Sequence, residues 1–85
     1  MKEFKYVFRD KGGFHARPAG ALVKEAAAFP CSITIAKDGK AADAKRIFGV
    51  MGLGVKCGEE ITVCTDGENE EAASAAIEAF LKANL

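Results

Sequence analysis

The stretch Gly12-Gly13-Phe14-His15-Ala16-Arg17-Pro18 lies where a loop passes into the first predicted helix of this chain. Glycine lets the loop bend. Pro18 fits a first helical turn, where no N–H donor is needed and φ is already helical. Gly13 and Pro18 therefore mark the helix entry. The apolar residues that follow recur with helical spacing: Ala19, Leu22, Val23 and Ala26. Pro30 cannot continue a helix, so we predict an end near Ala28.

Three segments outside this helix, the predicted first, second and fourth strands, alternate apolar and polar residues with the period of a strand. Asp38-Gly39 is a dipeptide favoured in tight hairpins, so it predicts a turn between the second strand and a short third one. The apolar positions are Phe4, Tyr6 and Phe8 in the first strand, Cys31, Ile33 and Ile35 in the second, and Ile61 and Val63 in the fourth.

Two further helices are predicted in the second half of the chain. A helix of about two turns contains Ile47, Phe48 and Met51 and ends among the glycines at 52 and 54. The last helix begins near Asn69, a favourable N-cap residue, and the two glutamates that follow suit the positive end of the helix dipole. Its apolar stripe consists of Ala73, Ala76, Ile77, Phe80 and Leu81.

The order βαββαβα predicts an α+β fold. The second and fourth strands each have one apolar face and one face rich in small polar residues, so helices cover only one side of the sheet. With 85 residues, of which 49% are hydrophobic and 28% charged, the chain has the composition of one globular domain spanning residues 1–85. We therefore expect an open-faced sandwich.

Charge and apolar patterning exclude several classes of partner. Twelve basic and twelve acidic residues cancel, so no global field draws the protein to nucleic acid or an anionic membrane. No apolar run approaches the ~18 residues of a membrane span, and the first residues lack a signal-peptide pattern, so we expect a cytoplasmic protein without membrane insertion. The three cysteines fit neither a disulfide framework nor a zinc site, and we interpret them as small buried hydrophobes: Cys31, Cys57 and Cys64.

His15, the only histidine, is the candidate reactive group. The first N–H groups of a helix have no internal partner and point outward at the positive end of the dipole, so they form an anion site beside the ring. Arg17 adds a permanent cation whose forked donors match phosphate oxygens. A phosphoryl group on His15 would be held there.

Other interpretations stay open on the residues alone. A lone histidine is often an ordinary surface or core residue. A ligand-binding or RNA-binding module would need exposed sheet aromatics or a basic stripe, and neither is evident. No carboxylate pair, metal cluster or Cys–His arrangement indicates a hydrolase, and we expect neither a metal nor a cofactor.

The segment from Gly13 to Ala19 resembles the active-site signature of the HPr family, the histidine-containing phosphocarriers of the bacterial phosphoenolpyruvate:sugar phosphotransferase system. The segment KRIFGVMGLGV, residues 45–55, is similar to the family's second block. Length and element order also agree, so the resemblance covers the whole chain. It implies the HPr-like open-faced β-sandwich, with a four-stranded antiparallel sheet and three helices on one face.

The resemblance also implies a function. His15 would accept a phosphoryl group on its pros nitrogen, Nδ1, from enzyme I, with phosphoenolpyruvate as ultimate donor, and pass it to an enzyme IIA domain. The Arg17 side chain and the backbone of Ala16 and Arg17 would hold the phosphate. Such a carrier is a monomeric relay protein rather than an enzyme with its own turnover. The implied partner-docking surface consists of Gly20, Ile47, Phe48 and Met51.

Phe48 has two interpretations from the residues themselves. A carrier should expose a compact apolar patch for transient docking, and a large aromatic residue early in a short helix suits that role. Buried core is the alternative.

Arg46 departs from the family pattern. Many Gram-positive relatives have at this position a serine that a regulatory kinase phosphorylates, and arginine offers no hydroxyl. A cation near a helix N-terminus costs a few tenths of a kcal/mol, for which the sequence gives no reason. A regulatory paralogue and a carrier for a non-sugar phosphotransferase branch stay open as alternatives.

Overall fold

The computed structural model describes residues 1–85 and has the predicted order βαββαβα. The strands are β1 (Lys2–Val7), β2 (Ser32–Lys37), β3 (Lys40–Asp43) and β4 (Glu60–Asp66). The helices are α1 (Ala16–Ala27), α2 (Ile47–Gly52) and α3 (Glu70–Asn84). None of the helices combines the length and the apolarity needed to cross a membrane.

The four strands form one antiparallel sheet in the order β1-β4-β2-β3. The predicted hairpin turn joins β2 to β3, with Asp38 at φ 50° and Gly39 at φ 82°. Asp and Gly tolerate this left-handed conformation better than most residues, which is why the dipeptide marks such turns.

The hydrophobic core lies between the sheet and the three helices. On β2 and β4, alternate side chains are 1% exposed or less: Ile33, Ile35, Ile61 and Val63. Leu22 of α1 and Ile77 of α3 are fully buried in the same core. The alternation leaves the other face of the sheet open, which confirms the α+β open-faced sandwich.

The open face of the sheet is built from small and charged residues. Thr34 of β2 and Cys64 of β4 pair across its centre, and Glu3 of β1 pairs with Cys64. No aromatic side chain belongs to this face, because Phe4 and Tyr6 pack against the core. The sheet therefore lacks the stacking surface on which RNA-binding sheets depend.

Three sequence predictions need correction in detail. β1 ends at Val7, although Phe8 continues the inward face and is buried. Asn69 occupies the N-cap position of α3, but its left-handed backbone (φ 62°) leaves the side chain without a capping hydrogen bond. Glu70 Oε1 instead accepts the Gly67 N–H. Cys57 is exposed and Cys64 is half-buried on the open face of the sheet, so the interpretation as a buried hydrophobe is correct only for Cys31.

The segment 53–59 connects α2 to β4 and is held by a partly buried ion pair. Lys37 Nζ at the end of β2 lies 2.8 Å from Glu59 Oε1 and donates to the carbonyl oxygen of Gly54 at 3.0 Å. The same Glu59 oxygen accepts the Lys56 N–H at 2.8 Å. These contacts fix the segment against the sheet.

The Glu59 carboxylate should make stability depend on pH. The hydrogen bond from Lys37, followed by the one from the Lys56 amide, lowers the pKa of Glu59 from its ordinary value. A lowered folded-state pKa means that the unfolded chain takes up the proton more readily. The stabilisation is therefore complete above the unfolded value of about 4.3 and is lost as the pH falls through the lowered folded value.

Urea unfolding of wild type and Glu59→Gln at several pH values tests this expectation. At pH 7 the free energy of unfolding should be larger for wild type than for Glu59→Gln, and this difference should shrink below about pH 4. Glu3→Gln, which removes a carboxylate with no ion pair, is the control. A wild-type advantage that is constant from neutral to acid pH would contradict the assignment.

Candidate functional site

His15 is the N-cap residue of α1 and is exposed. Its backbone is extended (φ −95°, ψ −178°), its carbonyl accepts the Ala19 N–H, and its side chain makes no capping hydrogen bond. The ring therefore stands at the helix entrance with both nitrogens free of partners within the chain. The structure confirms the predicted place of His15 at the start of the helix.

The first turn of α1 offers unpaired donors next to this ring. The amides of Ala16 and Arg17 precede the first position that can bond within the helix, and they donate no hydrogen bond elsewhere in the chain. The Arg17 guanidinium is exposed and has no ion pair or side-chain hydrogen bond. Pro18 occupies the third helical position, where its missing N–H leaves no bond unmade. The turn thus combines a positive dipole end with a free cation.

Gly12 lies against one edge of the imidazole. A Cβ at this position would stand 2.7 Å from His15 Cδ2 and 3.0 Å from Nε2, so only glycine leaves the ring where it is. The Cδ2–Nε2 edge therefore faces the loop, and Nδ1 belongs to the opposite half of the ring. This orientation favours Nδ1 as the nitrogen open to a reaction partner.

The loop that carries the ring is fixed by contacts that the sequence analysis missed. Asp10 Oδ1 accepts the Gly12 N–H at 2.7 Å, and the Asp10 carbonyl accepts the Gly13 N–H at 3.0 Å. Phe14 is buried, packs edge-on against Phe8 with ring centroids 4.6 Å apart, and donates its N–H to the carbonyl of Val55 at 3.1 Å. The two-residue spacing from Asp10 to Gly12 is a signal for an Asx-type turn.

An open cleft of about 370 Å³ adjoins the ring. Arg17 and His15 lie on the α1 side, while Asp10, Phe80 and Asn84 line the rest with Pro18 and Ala21. Phe80 and Asn84 come from α3, so α1 and α3 flank the His15 side chain. The unpaired amides of Ala16 and Arg17 and the Arg17 guanidinium give the α1 side of this cleft the chemistry of an anion site.

The four implied docking residues lie along the adjoining surfaces of α1 and α2. Phe48 is 85% exposed, which confirms that it is a surface residue rather than core. Ile47 and Met51 are half-buried and pack on the core, while Val50 is the α2 residue that is fully buried. A Cβ on Gly20 would lie 3.5 Å from Ile47 Cδ1, so the glycine permits close packing of the two helices. We call the set Gly20, Ile47, Phe48 and Met51 the apolar patch.

Arg46 is the N-cap residue of α2, and Asp43 offsets its charge. Arg46 Nε lies 3.9 Å from Asp43 Oδ2, and Asp43 Oδ1 accepts the Lys45 N–H at 2.9 Å. A carboxylate at this point suits the positive end of the short helix. The Asp43 carboxylate therefore offsets the unfavourable charge of Arg46 at the helix start, for which the sequence alone gave no reason.

Fold and site together define a small α+β domain with an exposed histidine at a helix N-terminus, and comparison with known proteins gives the family. A family model described as the PTS HPr component phosphorylation site matches residues 2–83. The chain is 43% identical to the phosphocarrier protein HPr of Mycoplasma capricolum over 77 residues, 91% of this chain and 86% of that protein. The chain therefore belongs to the HPr family of phosphocarrier proteins.

Solved structures of the family agree with this fold. HPr from Thermoanaerobacter tengcongensis superposes with a TM-score of 0.94 at 37% identity, covering 98% of this chain and 93% of that one. Crh, the catabolite-repression protein of Bacillus subtilis, gives a TM-score of 0.79 at 38% identity over 100% and 98% of the two chains. That structure is described as an intertwined dimer with a swapped domain.

Proposed function

We propose that this protein accepts a phosphoryl group on His15 Nδ1 from enzyme I, with phosphoenolpyruvate as ultimate donor, and donates it to an enzyme IIA domain. One observation carries the proposal. An exposed imidazole with no partner in the chain stands beside two unpaired helix amides and an arginine without an ion pair. Membership of the HPr family supports the same chemistry.

The transfer uses the neutral imidazole with its proton on Nε2. The Nδ1 lone pair attacks phosphorus, the phosphorus–nitrogen bond forms, and the bond from phosphorus to the donor breaks with its electron pair retained by the donor. The amides of Ala16 and Arg17 and the Arg17 guanidinium neutralise charge on the phosphoryl oxygens. Donation to the next acceptor reverses these steps, so the ring returns unchanged.

The apolar patch supports the choice of protein partners. It lies on α1, the helix that begins after His15, and on α2, which approaches α1 where Ile47 meets Gly20. Its aromatic side chain, Phe48, is 85% exposed in the isolated chain. Transient complexes use small apolar areas of this kind. We propose a cytoplasmic protein that meets enzyme I and enzyme IIA as a monomer, with no nucleic acid partner and no cofactor. Because Crh forms a swapped dimer, sedimentation at working concentration is the check on the monomeric state.

A regulatory role is the second candidate, because Crh is among the similar solved proteins. Arg46 has no hydroxyl, so a serine switch at this position is absent. A regulator with this sequence would be controlled through His15. A further alternative is a carrier that serves a non-sugar branch of the phosphotransferase system. Transfer to a panel of IIA acceptors distinguishes these roles from the leading one.

The direct test incubates the protein with phosphoenolpyruvate and a competent enzyme I. We expect one acid-labile phosphoryl group per chain, because the chain has one histidine. The labelled protein is then mixed with individual IIA domains, and loss of its label shows donation. An unlabelled chain beside a known HPr that is labelled in the same tube would contradict the proposal.

Phe48→Ala should weaken docking without changing the chemical step. Exposed aromatic side chains at interface centres contribute about 1–2 kcal/mol, so KM for transfer from enzyme I should rise about tenfold with kcat nearly unchanged. Stability should change by less than about 0.5 kcal/mol because the side chain is exposed.

Val7→Ala is the matched control for Phe48→Ala. Val7 is an apolar side chain, 47% exposed, at the end of β1 and distant in sequence from the apolar patch. Transfer kinetics of this variant should equal those of wild type. Equal KM values for Phe48→Ala and Val7→Ala would show that Phe48 is not part of the docking surface.

A further inference from the structure

Lys37 is a partly buried cation in the half of the molecule where no function has yet been assigned. It ends β2, and its side chain is 14% exposed. The ammonium group contacts Glu59 Oε1 at 2.8 Å and the carbonyl oxygens of Gly54 and Leu53 at 3.0 and 3.5 Å. All three of these contacts are made with the segment 53–59.

That segment contains the Val55 carbonyl, which contacts the loop before α1. Val55, one residue after Gly54, accepts the Phe14 N–H, and a Cβ on Gly13 would lie 2.1 Å from the same Val55 oxygen. Gly58 at the other end of the segment donates its N–H to the Phe8 carbonyl at 2.8 Å. Both sides of the loop before α1 are therefore tied to one connection.

The ion pair contacts the residues on both sides of the Val55 carbonyl. Glu59 bonds both Lys37 and the Lys56 N–H, so it closes the turn that follows Val55, while Lys37 holds the carbonyl of the residue before it. These two donors lower the pKa of Glu59, because they stabilise its charged form. Without the ammonium group, three acceptors lose their common donor and the segment is free to shift.

We propose that Lys37 is a positioning residue for His15, acting through the segment 53–59 and the Val55 carbonyl that holds Gly13 and Phe14. The kinetic consequence rests on the proposed phosphoryl transfer, whereas the structural consequence does not. The ring lies one residue beyond Phe14, so a shift in this anchor moves the nucleophile. Misplacement of a reacting group by small distances costs rate rather than affinity.

Four proteins test the proposal: wild type, Lys37→Met, Lys37→Arg and Lys5→Met. Met keeps the length of the side chain and removes its charge, and Arg restores a cation. Lys5→Met is the matched control, because Lys5 is exposed on β1 and makes no ion pair or side-chain hydrogen bond. If Lys37→Met folds poorly, Glu59→Gln breaks the same ion pair from the other side and takes its place.

The structural measurement is amide hydrogen exchange together with the NMR signals of the His15 ring. In Lys37→Met, the Phe14 amide should exchange about tenfold faster and the ring signals should move, because the loop opens locally. The Val63 amide in β4 should change much less, and Lys37→Arg should approach wild type. Equal acceleration at Phe14 and Val63, or no acceleration at either, would overturn the proposal.

The kinetic measurement is transfer from enzyme I. Lys37→Met should lower kcat about three- to tenfold with little change in KM, since Ile47 and Phe48 lie at the other end of α2 from Gly54. A higher KM with unchanged kcat would overturn the positioning role. If wild type itself is not labelled, the proposed function fails, and the exchange data still decide whether Lys37 positions the loop.

Discussion

Replacing His15 with alanine should reduce phosphorylation of the chain to the assay background while leaving the fold intact. The acceptor nitrogen disappears, and the sequence contains no second histidine to replace it. The side chain is exposed and makes no hydrogen bond, so the free energy of unfolding should change by less than about 0.5 kcal/mol. Phosphoenolpyruvate labelling and urea unfolding, measured on the same preparation, check both parts of this prediction.

Two companion variants make the His15→Ala result specific. Cys57→Ser removes the one exposed thiol, an alternative nucleophile, and should label like wild type. Arg17→Ala keeps the acceptor and loses only the cation that we propose neutralises charge on the phosphoryl oxygens, so it should be labelled more slowly but to completion. Residual acid-labile label on His15→Ala would contradict His15 as the acceptor.

The helix entrance was predictable because its signals are local. Gly13, His15 and Pro18 lie within six consecutive residues, and the glycine and the proline each have a conformational reason for their place. The alternation of Ile33 with Thr34 and of Ile61 with Thr62 likewise predicts which face of the sheet is buried. Fold class and the place of the reactive side chain both follow from patterns of this short range.

The contacts that hold the site in place were not predictable, because they join residues far apart in the chain. The Val55 carbonyl meets Phe14, and Lys37 meets Glu59, only after the sheet and α2 have packed. Asn69 shows the same limit at shorter range: its identity favours an N-cap, yet the turn from β4 places it in a left-handed conformation and Glu70 bonds the turn instead. Tertiary context decides such positions.

Gly13→Ala should strongly destabilise the loop that precedes α1. Gly13 has φ 62°, which costs an alanine roughly 1–2 kcal/mol, and the added Cβ would lie 2.1 Å from the Val55 oxygen. The backbone carbonyl must move away, and the hydrogen bond from Phe14 is then lost. We expect a loss of about 2–4 kcal/mol, which lowers Tm by roughly 10–20 °C in a domain of this size.

Gly54→Ala separates the clash from the backbone strain. Gly54 has nearly the same conformation, φ 64°, but no atom lies within 4 Å of a Cβ placed there. This control should therefore lose only the roughly 1–2 kcal/mol of the left-handed backbone. Thermal and urea unfolding of both variants give the comparison, and labelling at a temperature where each is folded shows whether the loop still presents His15. If the two alanines cost the same, the contact between Gly13 and the Val55 carbonyl does not hold the loop.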